Sequence, residues 1–376
     1  MTMLDLFKKI ISINSVCPAE HELSKFMFSY LTDLGFKLKE IVTGKDRINL
    51  IATIGKADKY LAFYSHLDTV PPDPNFKTNP FNLIIKDGLA KGLGASDMKG
   101  GLVCILEAAK WAVKENQAIK IILGVDEENI SEGANDLVDS GLLSDINFLI
   151  AAESGQYSKN AQSVNLIFGR KGRIVFDLKV FGKSAHAADR DKGVNAIEAA
   201  SRLITELSKI TFDSHEFLGS TDIIVEAINA EANGLSLPTE CNIRCTILST
   251  PLDSSEAVAE KIINTAKEIG AEIELKLKPR KTPYSESYQI DLEEPIINIL
   301  QNSIFIPQEI ESFYCGSVAD ENVFANRLKI PVISLGPRGG ACHTAEEWVD
   351  LKSMGNLIEI YKQIIAEYNA NFANSL

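Results

Sequence analysis

The chain has 376 residues, more than a single hydrophobic core usually organises, so two domains are expected. Its 38 Lys plus Arg stand against 51 Asp plus Glu, a formal net charge of -13 with no basic run, which argues against nucleic-acid binding. No apolar stretch approaches the roughly 20 residues of a membrane span, and the six cysteines form no C-x-x-C pair, so a soluble cytoplasmic protein with reduced thiols and no membrane partner is expected.

The N-terminal run Met1–Ile11 carries an acidic residue early and lysines within an amphipathic pattern, which predicts a folded helix and not a signal peptide. The apolar run from Leu61 predicts a buried strand ending near His66. A helix is predicted from Gly101 to Lys114, with Leu102, Ile105, Leu106, Ala109 and Val113 at helical spacing. Short β-branched runs ending at Val125, Ala152 and Leu335 predict further strands, with a helix from Gly133 to Ser140 between two of them. This alternation is that of an α/β fold, a mostly parallel sheet flanked by helices. From Leu166 to Phe181 the pattern alternates like one exposed strand. A helix (195–207), strands near 222–228 and 241–248, a helix (255–269) and a strand (272–278) follow, in the β-α-β-β-α-β order of a ferredoxin-like α+β insert. The polar stretch Pro279–Ser287 reads as a linker back, and Leu351–Phe372 as a closing helix. The expected division is 1–168 and 282–376 for a discontinuous first domain and 169–281 for the insert.

Histidine is scarce, five in all, and two of the five stand beside acidic residues after predicted strands. His66 and Asp68, two residues apart at a strand end, suit a divalent cation, with the carboxylate able to orient the ring. Asp97 sits in a glycine-rich turn before a helix, where it serves either as an N-cap or as an ionised ligand. Glu127 and Glu128 are adjacent at a strand exit, either a solvated acidic turn or a pair that a cation neutralises. Glu153 follows an apolar strand, as a cap or a site residue, and His343 lies in the loop Gly336–Glu346 after the last predicted strand. In parallel sheets ligands bind beyond the carboxyl ends of the strands, so these positions converge on one crevice. Two histidines and several carboxylates suit two Zn²⁺ ions, or Co²⁺ or Mn²⁺, bridged by a carboxylate and a water. A glutamate left uncoordinated could take that water's proton and deliver it to a leaving amine, which is hydrolysis of an amide bond. Cys342 adjoins His343, but sequence neighbours point apart, so a Cys–His nucleophile is not expected.

The motifs Ser65–Thr69, Gly94–Gly101, Asp126–Glu128, Glu153, Gly182–His186 and His343–Glu346, in this order, resemble those of the metal-dependent aminoacylase and carboxypeptidase family that includes acetylornithine deacetylase, succinyl-diaminopimelate desuccinylase and glutamate carboxypeptidase. The resemblance implies a di-zinc exopeptidase-like catalytic domain in which Asp97 bridges the metals, His66 and Glu153 complete one site and Glu128 and His343 the other. It implies that Glu127 is the general base and acid, that Asp68 orients His66 and that the Asp97–Met98 peptide is cis. It implies a homodimer whose insert is a dimerisation and lid domain, with His186 reaching the partner's active site. From sequence alone His186 is as readily structural. Arg170 matches a position that contacts the substrate carboxylate in desuccinylases, and Arg244 and Arg338 are further candidate substrate-binding residues. The implied substrate is an N-acetyl or N-succinyl amino acid, or alternatively a dipeptide. A non-catalytic metal-binding or amino-acid-binding relative is the rival of another class, and a retained Glu127 argues against it. Three positions depart from the family: Leu248 where an arginine is usual, Val318 for a threonine and Ser154 for a proline, while Asp320 is retained.

Overall fold

A computed structural model describes residues 1–155, 164–303 and 311–372. Two compact units emerge: Met1–Gly169 with Gln289–Phe313 and Ala319–Leu376, and Arg170–Tyr288 with Tyr314–Val318. The chain thus returns to the first unit later than residue 282, and the short segment Tyr314–Val318 groups with the second.

In the first unit the strands Tyr60–His66 and Ile119–Gly124 are buried along their whole length, as strands covered on both faces must be. They pair in parallel, Ile146–Ala151 pairs in parallel with Tyr60–His66, and Val332–Gly336 pairs in parallel with Ile146–Ala151. The parallel set is flanked by antiparallel strands. The hairpin Lys37–Thr43 and Arg47–Ile54 adds to Ile119–Gly124 on one side, and Asn165–Arg170 adds to Val332–Gly336 on the other. Sequence periodicity missed this hairpin because its outer strand is largely exposed and carries little apolar signal. The sheet is α/β and mixed, with its parallel strands at the centre.

Helices form where the local chemistry caps them. Thr2 and Asp5 make a reciprocal capping box at Met3–Ser12, and the Asp350 carboxylate accepts the Ser353 N–H at the start of Leu351–Asn371. The helix Gly100–Lys114 packs its buried face against the sheet and Leu351–Asn371, in one core with Phe63, Leu102, Leu106, Leu357 and Tyr361. Two glycines permit the close approaches that bring the loops together. A Cβ at Gly101 would lie 2.0 Å from the Ala152 carbonyl oxygen, and one at Gly336 would lie 1.9 Å from that of Glu153.

The run 165–181 is not one strand. It divides at Lys171 into Asn165–Arg170 and Gly172–Phe181, which belong to different sheets. Both halves alternate, so periodicity could not show the break. What holds it is Lys171, buried, whose Nζ donates to the Ser220 carbonyl and the Asp222 carboxylate at 2.6 and 2.7 Å. In the second unit the sheet runs Asp222–Asn229, Glu240–Ser249, Gly172–Phe181, Ile273–Leu277, all antiparallel, which is the ferredoxin-like strand order. Helices Ala196–Leu207 and Ser255–Glu268 cover one face over Phe176, Leu178, Ile243 and Ile247. The opposite face carries Arg244 and Leu248.

A buried ionic knot fastens the first unit. Arg47 donates from Nε and Nη2 to the two Glu20 oxygens at 3.0 and 2.5 Å, and from Nη1 to Asp126 at 2.6 Å. Burial alone would raise the Asp126 carboxyl, but Arg47, the Glu132 N–H and Asn129 hold it below its usual value. Removing Arg47 strands two buried carboxylates, so Arg47→Ala should lose about 3–5 kcal/mol in urea unfolding. A depressed aspartate contributes stability above its unfolded value and loses it as pH falls. The wild-type advantage over Arg47→Ala should therefore shrink on acidification below about pH 3.8, and an advantage that grows there would contradict the assignment.

Candidate metal centre

Four loops after the parallel strands, together with the turn Ala95–Lys99, bring carboxylates and imidazoles together. His66 closes its strand with its ring fully buried. Its Nδ1 lies 3.0 Å from the Asp68 backbone carbonyl, which fixes Nδ1 as a proton donor and directs Nε2 at the cluster. Asp68 thus orients the ring chiefly through its backbone. Its carboxylate is 3.6 Å from Nδ1, and Oδ2 instead accepts the Glu128 N–H at 3.0 Å.

Asp97 sits in the tight turn Ala95–Lys99 ahead of Gly100–Lys114, and its peptide to Met98 is cis. Its two oxygens face different histidines: Oδ1 is 3.0 Å from His66 Nε2, and Oδ2 is 3.3 Å from His343 Nε2. Glu153 Oε1 stands 3.7 Å from His66 Nε2, and Glu128 Oε2 stands 3.2 Å from His343 Nε2. Two sets, His66–Asp97–Glu153 and His343–Asp97–Glu128, therefore share Asp97. His66, Asp97 and Glu128 also offer ligand atoms within 4.8 Å of one another, so the two sets are one cluster.

The electrostatics are those of a site built for cations. Asp97 and Glu128 raise His343 to about 10, against the pull of burial. Burial disfavours a charged His66, yet Asp97, Asp68, Glu127 and Glu153 raise it well above its ordinary value. Desolvation opposes ionisation of the half-buried Asp97, and His343 and His66 nevertheless hold its carboxyl well below the usual range. Asp68 is pushed up to about 7 by burial. Glu127 is driven well above a normal glutamate by burial and by Asp320, Glu128 and Glu153. Buried Glu128 Oε1 has no hydrogen-bond partner among the described residues. An orphaned carboxylate oxygen beside two imidazoles and a shared aspartate fits divalent cations better than it fits an empty polar pocket.

A second grouping, Cys17, Glu20 and Asp68, also brings ligand atoms within 4.8 Å. Arg47 neutralises it, since its guanidinium takes both Glu20 oxygens and stands 3.5 Å from the Cys17 sulfur. The Cys342 thiol, pushed up to about 12 by burial and by Asp97, keeps its proton and is no nucleophile.

The structure separates the remaining candidates. His186 lies in the second unit, exposed, its Nδ1 accepting the Ala188 N–H. Arg170 is buried there and donates to Ser317 Oγ at 2.9 Å. Arg244 is held at 2.7 Å by Asp177, its cross-strand partner. Arg338, in the first unit, is 3.4 Å from Asp350 and covers the Trp348 ring, so its guanidinium serves the packing of the His343 loop. The sequence motif ends at Glu346 and does not single out Glu347, yet Glu346 is exposed and pairs with Lys91, whereas Glu347 is buried. Sequence reading also missed Tyr64, whose hydroxyl donates to Asp320 beneath the site. A buried tyrosine one residue from a polar strand end was the only signal available.

Residues 62–367 match a family model described as Peptidase family M20/M25/M40. A succinyl-diaminopimelate desuccinylase of Nautilia profundicola is 26% identical over 98% of this chain and 100% of its own. Among solved structures, a tripeptidase from Staphylococcus aureus superposes with a TM-score of 0.82 at 23% identity, covering 98% of each chain. A dinuclear metal-binding M20 peptidase from Bacillus subtilis superposes at 0.78 with 16% identity, again over 98% of each. These structures share the fold. Since the matched span takes in the whole cluster from His66 to His343, the chain belongs to peptidase family M20/M25/M40 and is a hydrolase of amide bonds.

Proposed function

We propose that this chain is a two-metal amidohydrolase that removes a small acyl group, acetyl or succinyl, from an N-acyl amino acid, acting as a homodimer. The observation that carries the reading is the shared position of Asp97 between two histidine–carboxylate sets, each with an oxygen at 3.0 to 3.3 Å from an imidazole nitrogen. His66, Asp97 and Glu153 would hold one divalent cation, and His343, Asp97 and Glu128 the other, with zinc the best match to this donor set and cobalt or manganese its substitutes. When bound, the cations polarise the scissile carbonyl and acidify water.

Glu127 is free of ligand duty and half-buried, and its carboxylate is biased toward holding a proton. It takes the proton of the attacking water and delivers it to the nitrogen of the leaving amine. His186, on the partner subunit, would donate a hydrogen bond to the developing oxyanion. Arg170 would meet the carboxylate of the substrate. The desuccinylase relatives favour the deacylase reading. The tripeptidase fold relative, with Leu248 in place of an anchoring arginine, favours a second reading as a small-peptide hydrolase.

A substrate screen separates these readings, and variants test the machinery that both share. Given Zn²⁺, Co²⁺ or Mn²⁺, N-succinyl and N-acetyl amino acids should be hydrolysed faster than di- and tripeptides, and turnover of peptides alone would sink the deacylase reading. Glu127→Gln should lower kcat by about 10²–10⁴-fold with the metal content unchanged, as should His186→Ala. Mixing the two inactive variants should restore about a quarter of wild-type activity, since a two-fold heterodimer has one intact site. No recovery would place His186 within its own subunit's site, and full activity of His186→Ala by itself would place it outside catalysis.

His343 has a raised value of about 10, so in the metal-free protein its imidazolium is present through neutral pH and is lost as pH rises through that value. Metal binding must therefore release protons between pH 6.5 and 9, and affinity should rise with pH. Calorimetric titration in buffers of different ionisation enthalpy reads this directly, and the absence of proton release would contradict His343 as a ligand.

A further inference from the structure

We infer that Glu347 is a positioning residue that sets the place of the shared ligand Asp97 relative to His343. The inference rests on the two-metal reading above and adds a residue that this reading does not use. Glu347 is 1% exposed and lies four residues after His343 in the same loop. Its carboxylate accepts three backbone N–H groups of the Asp97 turn: Oε2 takes Gly94 at 2.9 Å, and Oε1 takes Ser96 at 2.8 Å and Asp97 itself at 3.0 Å. Both oxygens are thus taken up by backbone donors of the turn. A single carboxylate joins the loop that carries one histidine to the turn that carries the carboxylate shared by both.

A second set of contacts points the same way. Ser96 Oγ is 2.5 Å from Ser154 Oγ, and the Cys342 thiol donates to Ser96 Oγ at 3.5 Å. Ser96 precedes Asp97, Ser154 follows Glu153, and Cys342 precedes His343, so each member adjoins a ligand on a different loop. The turn has little room to adjust. Gly94 has φ +74°, and a Cβ there would lie 2.6 Å from Thr69 Cγ2. Asp97 must present one oxygen to each histidine, so a small displacement of its backbone would improve one contact only by lengthening the other. Glu347 is the group that prevents this. The glutamine isostere replaces it only in part, because with its oxygen kept on Ser96 and Asp97 its NH₂ would face the Gly94 N–H.

The test is metal titration of the metal-stripped full chain with Zn²⁺ and with Co²⁺, followed by steady-state kinetics of the reloaded protein. Wild type should bind two ions per subunit. Glu347→Gln should weaken one of them by about 10–100-fold and lower kcat by a similar factor, with KM within about threefold. The d–d spectrum of the cobalt form should change. Glu347→Asp, which keeps the acceptors but retracts them, should fall between, and it stands in for the glutamine variant if that chain does not fold by circular dichroism. Glu346→Gln, altering the exposed neighbour, should match wild type. Unchanged metal affinity and kcat in Glu347→Gln, or reduced thermal stability with both unchanged, would overturn the inference while the two-metal reading stands. A wild-type chain that binds fewer than two ions would overturn the two-metal reading, and the inference with it.

Discussion

Five carboxylates, those of Asp68, Asp97, Glu127, Glu128 and Glu153, are gathered around the buried imidazole of His66 and the solvent-facing one of His343, and their mutual repulsion is the constraint around which the catalytic unit is built. Carboxylates at such distances cannot all remain ionised without compensating charge. Without metal, protons on His66 and His343 supply part of it, which is why both imidazoles are raised and Asp97 is depressed. Divalent cations supply more charge in less space. The same groups that make the metal-free cluster unfavourable thus become its affinity for metal.

Holding such a cluster requires rigid supports outside it. Asp126 anchors the turn that carries Glu127 and Glu128 by accepting from Arg47, the Glu132 N–H and Asn129. Asp68 accepts the Glu128 N–H, so the His66 and Glu128 loops are joined directly. Lys99, fully buried, donates to the Ile13 carbonyl, and its ammonium lies close enough to Glu347 and Asp68 to feel both charges. Burial depresses it to about 8, so near neutral pH it remains largely a cation among anions. The glycines at 101 and 336 do the steric part, letting backbones approach to distances that a methyl group would forbid. Each ligand-bearing loop is therefore fastened by contacts that a ligand search would overlook.

The parallel strands, and the gathering of histidines and carboxylates at their ends, were legible in the sequence because both are written in short-range patterns. Continuous apolar runs announce central strands, and a rare histidine or a paired acid at their ends stands out against the composition. Supports such as Arg47 to Asp126, or Glu347 to Gly94, join residues remote in sequence and have no local signature. The pair Glu346 and Glu347 shows the limit. Two identical neighbours point in opposite directions, and only the packing of the following strand, Trp348–Asp350, decides which is buried. The break at Lys171 is similar, because a strand that leaves one sheet for another keeps its alternation and changes only its partners.

The Leu248 departure shows the same limit in two dimensions. Read along the strand, Arg244 is the nearest cation on that face, but four residues of extended chain separate the two by about 13 Å. Across the sheet the neighbours are different. The register puts Arg173 directly opposite Leu248 on one side and Asp222 on the other, where Cβ atoms stand about 5 Å apart. Arg244, meanwhile, is opposite Asp177 and bonded to it. The Arg173 guanidinium is 3.3 Å from Glu226 and 3.5 Å from Thr246, two residues along the strand from Leu248 on the same face. A positive charge thus stands beside position 248, delivered from the adjacent strand and already balanced by a carboxylate. A substrate carboxylate reaching that spot would have to compete with Glu226 for Arg173, whereas an apolar group would meet Leu248 with no ion pair to break.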